Sequence, residues 1–305
     1  MLSILIPTYN YNVTSLVKEL HNQAINLYID FEIIVMEDGS QYFVEENENI
    51  NKLTNCRHII LEKNIGRAAV RNKLAEEAKY DHLLFLDCDA KICSEHFIEK
   101  YLVFCKETSL VVIGGRIYEQ ENNLDNFSLM RKYGIIREQN TLENLKNRKK
   151  YPVLTTPNFL ISKELFLKTK FDEIFSGYGH EDTIFGIKLV RNEATFFYID
   201  NPVVHIGLET NEKFIKKTEN GLKNLYNIYL SADYPEIKQL SKVLSIYLKI
   251  NKIKLSKIFC FIYKHFNQNI KKRLIYSLNP SLFLFDFYKL LFLCDYSFKN
   301  DKMTE

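Results

Sequence analysis

In the first part of the chain, hydrophobic residues fall in short continuous runs, and polar stretches of helical spacing separate these runs. Within those stretches apolar residues recur at helical intervals, for example at Leu16, Leu20 and Ala24. Continuous apolar strands that alternate with helices predict an α/β fold with a mostly parallel sheet, flanked by helices on both faces. The predicted strands are Leu2–Ile6, Phe31–Met36, His58–Leu61, His82–Leu86 and Leu110–Ile113.

The remainder of the chain has a different pattern. Residues 122–150 are polar with helical spacing, which indicates an insertion or a flexible segment. Residues 151–207 form a second stretch with candidate functional side chains. After that stretch the sequence is helical and rich in Lys and Tyr. We therefore predict two regions, residues 1–212 and residues 213–305, of which the second is a C-terminal helical region.

The two predicted regions also differ in charge. The formal charge of the whole chain is +3, but residues 213–305 hold 17 Lys and Arg against 7 Asp and Glu, whereas residues 1–212 hold 24 against 31. This asymmetry predicts surfaces with different partners. The six Cys include no CxxC pair, which favours reduced thiols in a cytosolic protein. Met1 leads directly into an apolar strand, a pattern unlike that of a signal peptide.

Polar side chains follow the predicted strands at the points where the strands end. In sheets of this type ligands bind beyond the carboxyl ends of the strands, so these side chains are candidates to hold a nucleotide and a metal. Asp87 and Asp89 can together hold Mg²⁺ or Mn²⁺, although paired acids are also common in turns. Asp38 can accept hydrogen bonds from a base or a ribose, or it can form a turn.

Two further groups have side chains suited to catalysis or to metal binding. Gly177 and Gly179 precede Glu181 and Asp182 at the start of a predicted helix. One of these carboxylates can serve as a general base, or both can merely cap the helix. His205 is flanked by apolar residues, and it is either a metal ligand or a hydrogen-bonded core residue.

Arg67 and Arg71 lie four positions apart and therefore share one face of a predicted helix. That face can present positive charge to a phosphate or a sugar, or it can be a solvated surface. None of these patterns assigns a function alone; their order along the chain does.

In that order, the motifs resemble those of glycosyltransferase family 2, whose members have the GT-A fold. Ser3–Asn10 is similar to the family's first strand and nucleotide-binding turn, and Glu37–Ser40 is similar to the acidic motif of its second strand, whose Asp contacts the nucleotide. Asn64–Asn72 is similar to the family's N-x-G helix start, and Asp87–Asp89 falls where the family has its DxD motif. The segment Phe171–Asp182 resembles the FDE…GWGGED segment of chondroitin-polymerase-like enzymes and β-1,4-galactosyltransferases.

The resemblance implies a role for each matched residue. Asp182 is implied as the catalytic base, and Glu181 as a contact to the acceptor or the donor sugar. Asp89 is implied as a direct metal ligand, with His205 completing the metal shell and Asp87 nearby. The implied donor-binding residues are Pro7, Thr8, Tyr9, Asp38, Asn64, Arg67, Arg71, Asp87 and Cys88, and the implied acceptor-binding residues are Tyr178, Gly179 and His180.

The resemblance also implies an activity. It is that of an inverting glycosyltransferase, assisted by Mn²⁺ or Mg²⁺, that moves a sugar from a UDP-sugar to a hydroxyl of a glycan or lipid-linked glycan in polysaccharide biosynthesis. Residues 1–118 would form the nucleotide-sugar half of the catalytic domain, and residues 151–212 the acceptor half. Tyr178 replaces the usual Trp and His180 the usual Gly, which leaves the sugars open. The alternatives are a catalytically silent relative that binds glycan or nucleotide, and a metal-dependent nucleotidyltransferase.

The C-terminal region matches no catalytic motif. Its most apolar segment, Ser281–Cys294, is shorter than the roughly 20 residues that a membrane-spanning helix needs. Basic residues alternate with apolar ones upstream of it, which predicts peripheral membrane contact through residues 249–294 or, alternatively, a helical bundle with a solvated basic face. We expect a cytoplasmic protein, located at the inner face of the cell membrane if that contact forms. No motif predicts a nucleic-acid partner.

Overall fold

The chain divides into two units, which are interleaved along the sequence. The computed structural model describes residues 1–107, 109–119, 125–139, 154, 156–174 and 179–304. Unit 1 comprises Met1–Glu119, Gln139–Ile174 and Glu181–Gly207, and unit 2 comprises Gln120–Glu138, Phe175–His180 and Leu208–Glu305.

Unit 1 contains the strands and half of the helices among the described residues. The strands are β1 (Leu2–Thr8), β2 (Phe31–Glu37), β3 (Cys56–Ile60), β4 (His82–Leu86), β5 (Ala90–Lys91), β6 (Leu110–Ile113), β7 (Arg116–Ile117), β8 (Asn158–Ser162), β9 (Thr195–Tyr198) and β10 (Val203–His205). The α-helices among the described residues of both units are α1 (Thr14–Asn26), α2 (Val44–Glu48), α3 (Arg67–Glu77), α4 (Glu99–Leu102), α5 (Ser128–Tyr133), α6 (Lys163–Thr169), α7 (Glu181–Arg191), α8 (Asn211–Ser231), α9 (Ile237–Leu240), α10 (Lys242–Lys252), α11 (Ser256–Tyr276) and α12 (Leu282–Thr304).

The main sheet of unit 1 is mostly parallel, as the sequence predicts. Over the described ranges its strand order is β3-β2-β1-β4-β8-β6-β9. Strand β1 pairs in parallel with both β2 and β4, and β2 pairs in parallel with β3. Strand β8 runs antiparallel to both of its neighbours, β4 and β6.

The core of unit 1 lies on both faces of the main sheet, because successive side chains of a strand point to opposite faces. On one face, Ile4 of β1 packs in a cluster with Leu16 and Leu20 of α1. On the other face, Leu5 belongs to a second cluster that includes Leu74 of α3. Both faces are thus covered by helices, which explains the continuous apolar runs of the sequence.

The strand ends bring the candidate site residues to one edge. Thr8 at the end of β1 lies beside Glu37 at the end of β2, and Glu37 lies beside Ile60 of β3. A second, three-stranded sheet with the order β5-β10-β7 lies among the described residues of the same unit. It pairs His205 of β10 with Ala90 of β5, and so places this histidine next to the end of the DxD motif.

Unit 2 is helical over its described residues. Its core includes Leu129 of α5, Ile215 of α8, Leu274 of α11 and Tyr288 of α12. Within the predicted apolar segment, the side chains of Phe285, Tyr288, Leu291, Leu293 and Cys294 are buried. The most apolar part of the tail is therefore bundle core. Among the helices that the structure describes, none combines the length and the hydropathy of a membrane span.

Candidate active site

The first carboxylate of the DxD motif is held by an arginine. Asp87 follows β4, and its Oδ1 accepts a hydrogen bond from Nη2 of Arg71 at 2.6 Å. The Arg71 side chain is buried, and its guanidinium carbon lies 5.7 Å from the ring centre of Phe171. A charge-assisted pair in this setting fixes both groups. Of the two arginines on this helix face, Arg71 is therefore engaged with the DxD motif.

The second carboxylate lies against the late histidine. Oδ1 of Asp89 is 3.3 Å from Nδ1 of His205. Burial raises the pKa of Asp89, but the hydrogen bond and charge of His205 and the nearby Arg67 and Arg116 outweigh it, so the pKa is lowered overall. Gly207 closes this corner, because a Cβ at that position would lie 2.2 Å from Oδ2 of Asp89.

Asp89 and His205 fit a divalent cation by their chemistry. Over the described ranges, no three His, Cys, Asp or Glu side chains come together closely enough to hold a metal ion without other ligands. Mg²⁺ is commonly bound by only one or two carboxylates together with substrate phosphates and water, and imidazole suits transition metals. Nδ1 of His205 faces Oδ1 of Asp89, so a cation bound by both residues would take the place of that hydrogen bond. Nε2 is buried without a hydrogen-bond partner in the described part of the chain, and it lies on the other side of the ring.

The last two residues of β1 and the residue after them, Tyr9, are three predicted donor-binding residues, and the Cys88 thiol of the DxD motif forms a hydrogen bond with the backbone of Tyr9. Thr8 is buried, and its hydroxyl donates to the carbonyl of Ile6 at 3.3 Å, whereas Pro7 is half-buried and Tyr9 is exposed. Between the two acids, burial raises the pKa of the Cys88 thiol. Because its thiol remains protonated, Cys88 acts as a small neutral side chain at this edge.

Asp38 and Asn64 fasten one loop of this edge. The Asp38 carboxylate accepts hydrogen bonds from the backbone N–H groups of Ile65, at 2.6 Å, and Gly66, at 3.1 Å. In return, Nδ2 of Asn64 donates to the carbonyl of Asp38 at 3.0 Å. Gly39 has a φ of +68°, and a Cβ there would lie 2.4 Å from the backbone nitrogen of Asn64, so the turn requires glycine. The turn-forming role that the sequence left open for Asp38 is thus present.

A buried network behind this loop was not found from the sequence. Oε1 of Glu37 accepts from Asn47 at 2.7 Å and lies 3.1 Å from Nε2 of His58. Ser40 donates to the other carboxylate oxygen and accepts from the backbone N–H of Asn10 at 2.9 Å. Burial raises the pKa of Glu37, but these hydrogen bonds outweigh it and lower the pKa overall. The network ties the turns after β1 and β2 to β3.

Helix α3 contacts the segment that leads to the acid pair. Asn72 donates from Nδ2 to the Phe171 carbonyl at 3.0 Å and to Oε1 of Glu173 at 2.7 Å, and it accepts from the Phe171 N–H at 2.9 Å. Nη1 of Arg67, at the start of the helix, lies 3.9 Å from Oε1 of Glu181. One helix therefore touches the DxD motif, the 171–173 segment and the acid pair.

Asp182 is a buried carboxyl group whose pKa is raised. It lies in the first turn of α7, where its Oδ1 accepts the N–H of Thr183 at 2.7 Å. Burial and the neighbouring charge of Glu181 raise its pKa to about 6, although the charge of Arg116 opposes the rise. Proton transfer is most efficient when the pKa of the base is near the operating pH. A helix N-terminus alone favours the charged carboxylate, so a simple capping role does not account for the raised pKa.

The predicted acceptor-binding residues are only partly described. Tyr178 lies outside the described residues. Gly179 and His180 belong to unit 2, where Gly179 lies close to Gly221 of α8. His180 has a φ of 74°, which is uncommon for a residue with a side chain and occurs often at functional sites.

Two residues near the site have no sequence signal that identified them. Arg116 lies on β7, beside Val203 of β10, and its charge acts on both Asp89 and Asp182. Its guanidinium carbon lies 5.8 Å from the ring centre of Tyr118, and that ring packs edge-on against His205 at 5.3 Å. Strand β7 is two residues long, too short for any periodicity, so only the fold identifies these side chains.

A mostly parallel sheet with a DxD motif beyond one strand and an acid pair on a following helix defines a GT-A glycosyltransferase fold. A solved structure of the same fold is the mannosyltransferase of Pyrobaculum calidifontis in complex with GDP-Man and Mn²⁺, with 12% identity and a TM-score of 0.57 over 100% of this chain and 88% of that one. The model of "Glycosyl transferase family 2" matches residues 3–169. The chain belongs to glycosyltransferase family 2, and the predicted family and fold are confirmed.

Individual relatives include two bacterial chondroitin synthases. That of Escherichia coli is 27% identical over 237 residues, which cover 67% of this chain and 34% of the relative. That of Pasteurella multocida (strain Pm70) is 28% identical over 241 residues, covering 67% of this chain and 24% of the relative. The chain therefore matches about a third or less of the length of these relatives.

Proposed function

We propose that this chain transfers a sugar from a UDP-sugar to a hydroxyl of a glycan or lipid-linked glycan, with inversion at the anomeric carbon. The observation that carries the proposal is the Asp182 carboxyl, whose pKa is raised to about 6 in the same unit as the Asp89–His205 pair. A base suited to neutral pH and a candidate metal site are the two parts that a direct displacement needs.

In this mechanism the donor diphosphate binds at the edge formed by the ends of β1, β2 and β4. Asp89 and His205 would hold Mn²⁺ or Mg²⁺, and the cation supplies neutralisation of the diphosphate as the leaving group. Arg71 keeps the Asp87 carboxylate in a fixed position at 2.6 Å, which leaves Asp87 to orient the donor.

Asp182 then acts on the acceptor. Its ionised carboxylate accepts the proton of the acceptor hydroxyl while the hydroxyl oxygen forms a bond to the anomeric carbon. The bond from that carbon to the diphosphate oxygen breaks in the same displacement. Because attack comes from the face opposite the leaving group, an α-linked donor gives a β-linked product. Glu181 is placed by sequence next to this base, and we assign it a contact with a sugar.

The test is nucleotide release from a panel of UDP- and GDP-sugars, measured with Mn²⁺, with Mg²⁺ and with EDTA. GDP-sugars are included because the mannosyltransferase of the same fold was solved with GDP-Man. We expect release from one UDP-sugar that EDTA abolishes. Release from GDP-sugars alone would overturn the choice of nucleotide, and release that is equal with EDTA would overturn the role of the metal.

The Asp182→Asn variant separates catalysis from binding. We expect it to bind UDP with the wild-type metal dependence and to lose transfer. UDP binding without transfer by the wild type, across the sugar and acceptor panel, would favour the catalytically silent relative. Incorporation of a nucleotidyl group into the acceptor would favour the nucleotidyltransferase.

A further inference from the structure

Unit 2 exposes large apolar side chains at several positions, among them Tyr276, Leu278 and Phe283, and one group of them falls within a short stretch of the chain. Ile253 is 62% exposed, Phe261 is 60% exposed and Ile258 is 54% exposed, and Ile246 and Leu255 are also exposed. These residues lie on α10, on the turn that follows it and on the first half of α11. Single exposed apolar residues need no explanation, but several within twenty consecutive positions indicate a binding surface.

The same stretch is strongly basic. Residues 237–285 hold nine Lys and one Arg and no Asp or Glu. Lys249, Lys252, Lys254, Lys257 and Lys264 are all exposed, and within the described part of the chain none of the five pairs with a carboxylate. Lys271, further along α11, contrasts with them, because its ammonium lies 2.7 Å from Oε1 of Glu219. The positive charge of the stretch is therefore not neutralised locally.

On α11 the basic and apolar groups share one side of the helix. Lys257 and Phe261 are separated by four positions, Ile258 and Phe261 by three, and Lys257 and Lys264 by seven, spacings that place them together. The buried side chains Cys260 and Leu274 face the core of unit 2 instead. We name residues 246–265 the basic apolar stretch.

We propose that the basic apolar stretch binds the surface of a bilayer that contains anionic phospholipid. Lysines at such a surface gain from its negative potential, while Ile, Leu and Phe side chains enter the boundary between headgroups and acyl chains. A nucleic acid or an acidic polysaccharide would be attracted by the lysines, but it gives no apolar medium for Ile253, Leu255 and Ile258. The proposal goes beyond the transfer reaction and does not depend on it.

This surface differs from the simplest expectation from the sequence. The most apolar segment of the tail, Ser281–Cys294, is largely buried in unit 2 and is not the part that we assign to the bilayer. Removing it would expose the bundle core, so truncation cannot test the proposal. Substitutions of exposed side chains can.

The experiment is vesicle flotation of the full chain, without donor or acceptor, using phosphatidylcholine vesicles with and without phosphatidylglycerol. We expect binding only when phosphatidylglycerol is present, and weaker binding at high salt. The pair Ile258→Gln and Phe261→Gln should lower the binding constant roughly a hundredfold, because two apolar side chains no longer enter the bilayer. The pair Lys252→Glu and Lys257→Glu should lower it by at least about tenfold.

Matched controls come from exposed residues of unit 1. Tyr28→Gln with Val103→Gln removes two exposed apolar groups, and Lys18→Glu with Lys106→Glu makes the same change in net charge. We expect both control pairs to bind vesicles as the wild type does. Circular dichroism melts check that each variant is folded.

Several results would overturn the proposal. They are absence of binding to either vesicle, equal binding to both, no change in the α11 variants, and an equal loss in the control pairs. Binding of heparin or single-stranded RNA that the Lys variants weaken, together with no vesicle binding, would instead assign the stretch to a soluble polyanion. Nucleotide release is measured without vesicles, so the two proposals are tested separately. A failure of vesicle binding does not affect the proposed transfer reaction, and a failure of nucleotide release does not affect the proposed membrane surface.

Discussion

The raised pKa of Asp182 has a consequence for stability as well as for rate. Its rise from 3.8 to about 6 corresponds to about 3 kcal/mol that favours the protonated carboxyl in the folded state. Below the ordinary pKa the carboxyl is protonated in both states and no penalty exists. As the pH rises through 6 the penalty becomes complete, because the folded state must then hold a buried charge. Asn at this position stays neutral at every pH.

We therefore predict that Asp182→Asn is more stable than the wild type near neutral pH. The difference in free energy of unfolding between the variant and the wild type should grow by about 1.5 kcal/mol between about pH 5 and about pH 8. Urea denaturation of both proteins at each pH measures this difference. Glu181→Gln is the control, because the charge of Glu181 is one of the two causes that raise the pKa of Asp182. In a Glu181→Gln background, Asp182→Asn should therefore stabilise the protein less. An advantage that does not change with pH would refute the reasoning.

The rate gives a second measurement of the same group. If Asp182 is the base, wild-type turnover should fall about tenfold for each unit of pH below about 6, because only the carboxylate accepts the proton. Glu181→Gln should shift this profile to lower pH. A profile that Glu181→Gln leaves in place would assign the titration to another group.

Three further substitutions test the rest of the site. Asp89→Ala should abolish metal-dependent UDP binding, as measured by calorimetry with Mn²⁺ and with EDTA, and retained metal dependence would show that the metal binds elsewhere. Gly207→Ala should displace the Asp89 carboxylate, weaken the same binding and cost about 1 to 3 kcal/mol of stability. Gly186→Ala, inside α7 with its new Cβ 3.6 Å from the nearest neighbour, should leave the binding unchanged and raise stability by about 0.5 to 1 kcal/mol. Arg71→Met should cost about 3 kcal/mol in urea denaturation, because it leaves the Asp87 carboxylate without its partner, and a loss below about 1 kcal/mol would mean that the ion pair is not maintained in solution.

The sequence predicted the first strands well because their apolar runs are continuous. Strands β1, β2, β4 and β6 begin at the predicted residues, and β4 and β6 also end there. Strands β8 and β9 were not predicted individually. Strand β8 lies between β4 and β6, which pair with it across large sequence separations, and such pairing has no local signal. The short strands β5, β7 and β10 are beyond the reach of any periodicity.

The convergence of the site residues was also predictable in part. Parallel strands place their carboxyl ends at one edge, so the residues after β1, β2 and β4 had to meet there. Their partners could not be predicted, because each hydrogen bond joins positions far apart in the sequence. Asp38 is bonded to the N–H of Gly66, and Asp87 to Arg71. Motif matching gave roles to Asp38 and Asp87 separately, whereas the fold shows that each also supports its neighbours.

Helix α3 explains why the order of the motifs carries information about function. Arg67, Arg71 and Asn72 reach Glu181, Asp87 and the Phe171 backbone respectively, so three side chains of one helix touch three separate segments of unit 1.

Arg67 and Arg71 are four positions apart and lie on one face of the helix, and Asn72, the next residue, points to the side of that face, where it contacts Phe171. The spacing of the N-x-G helix start is then a positional requirement: it aligns the donor edge with the segment before the acid pair. A shift of α3 by one residue would break all three contacts at once.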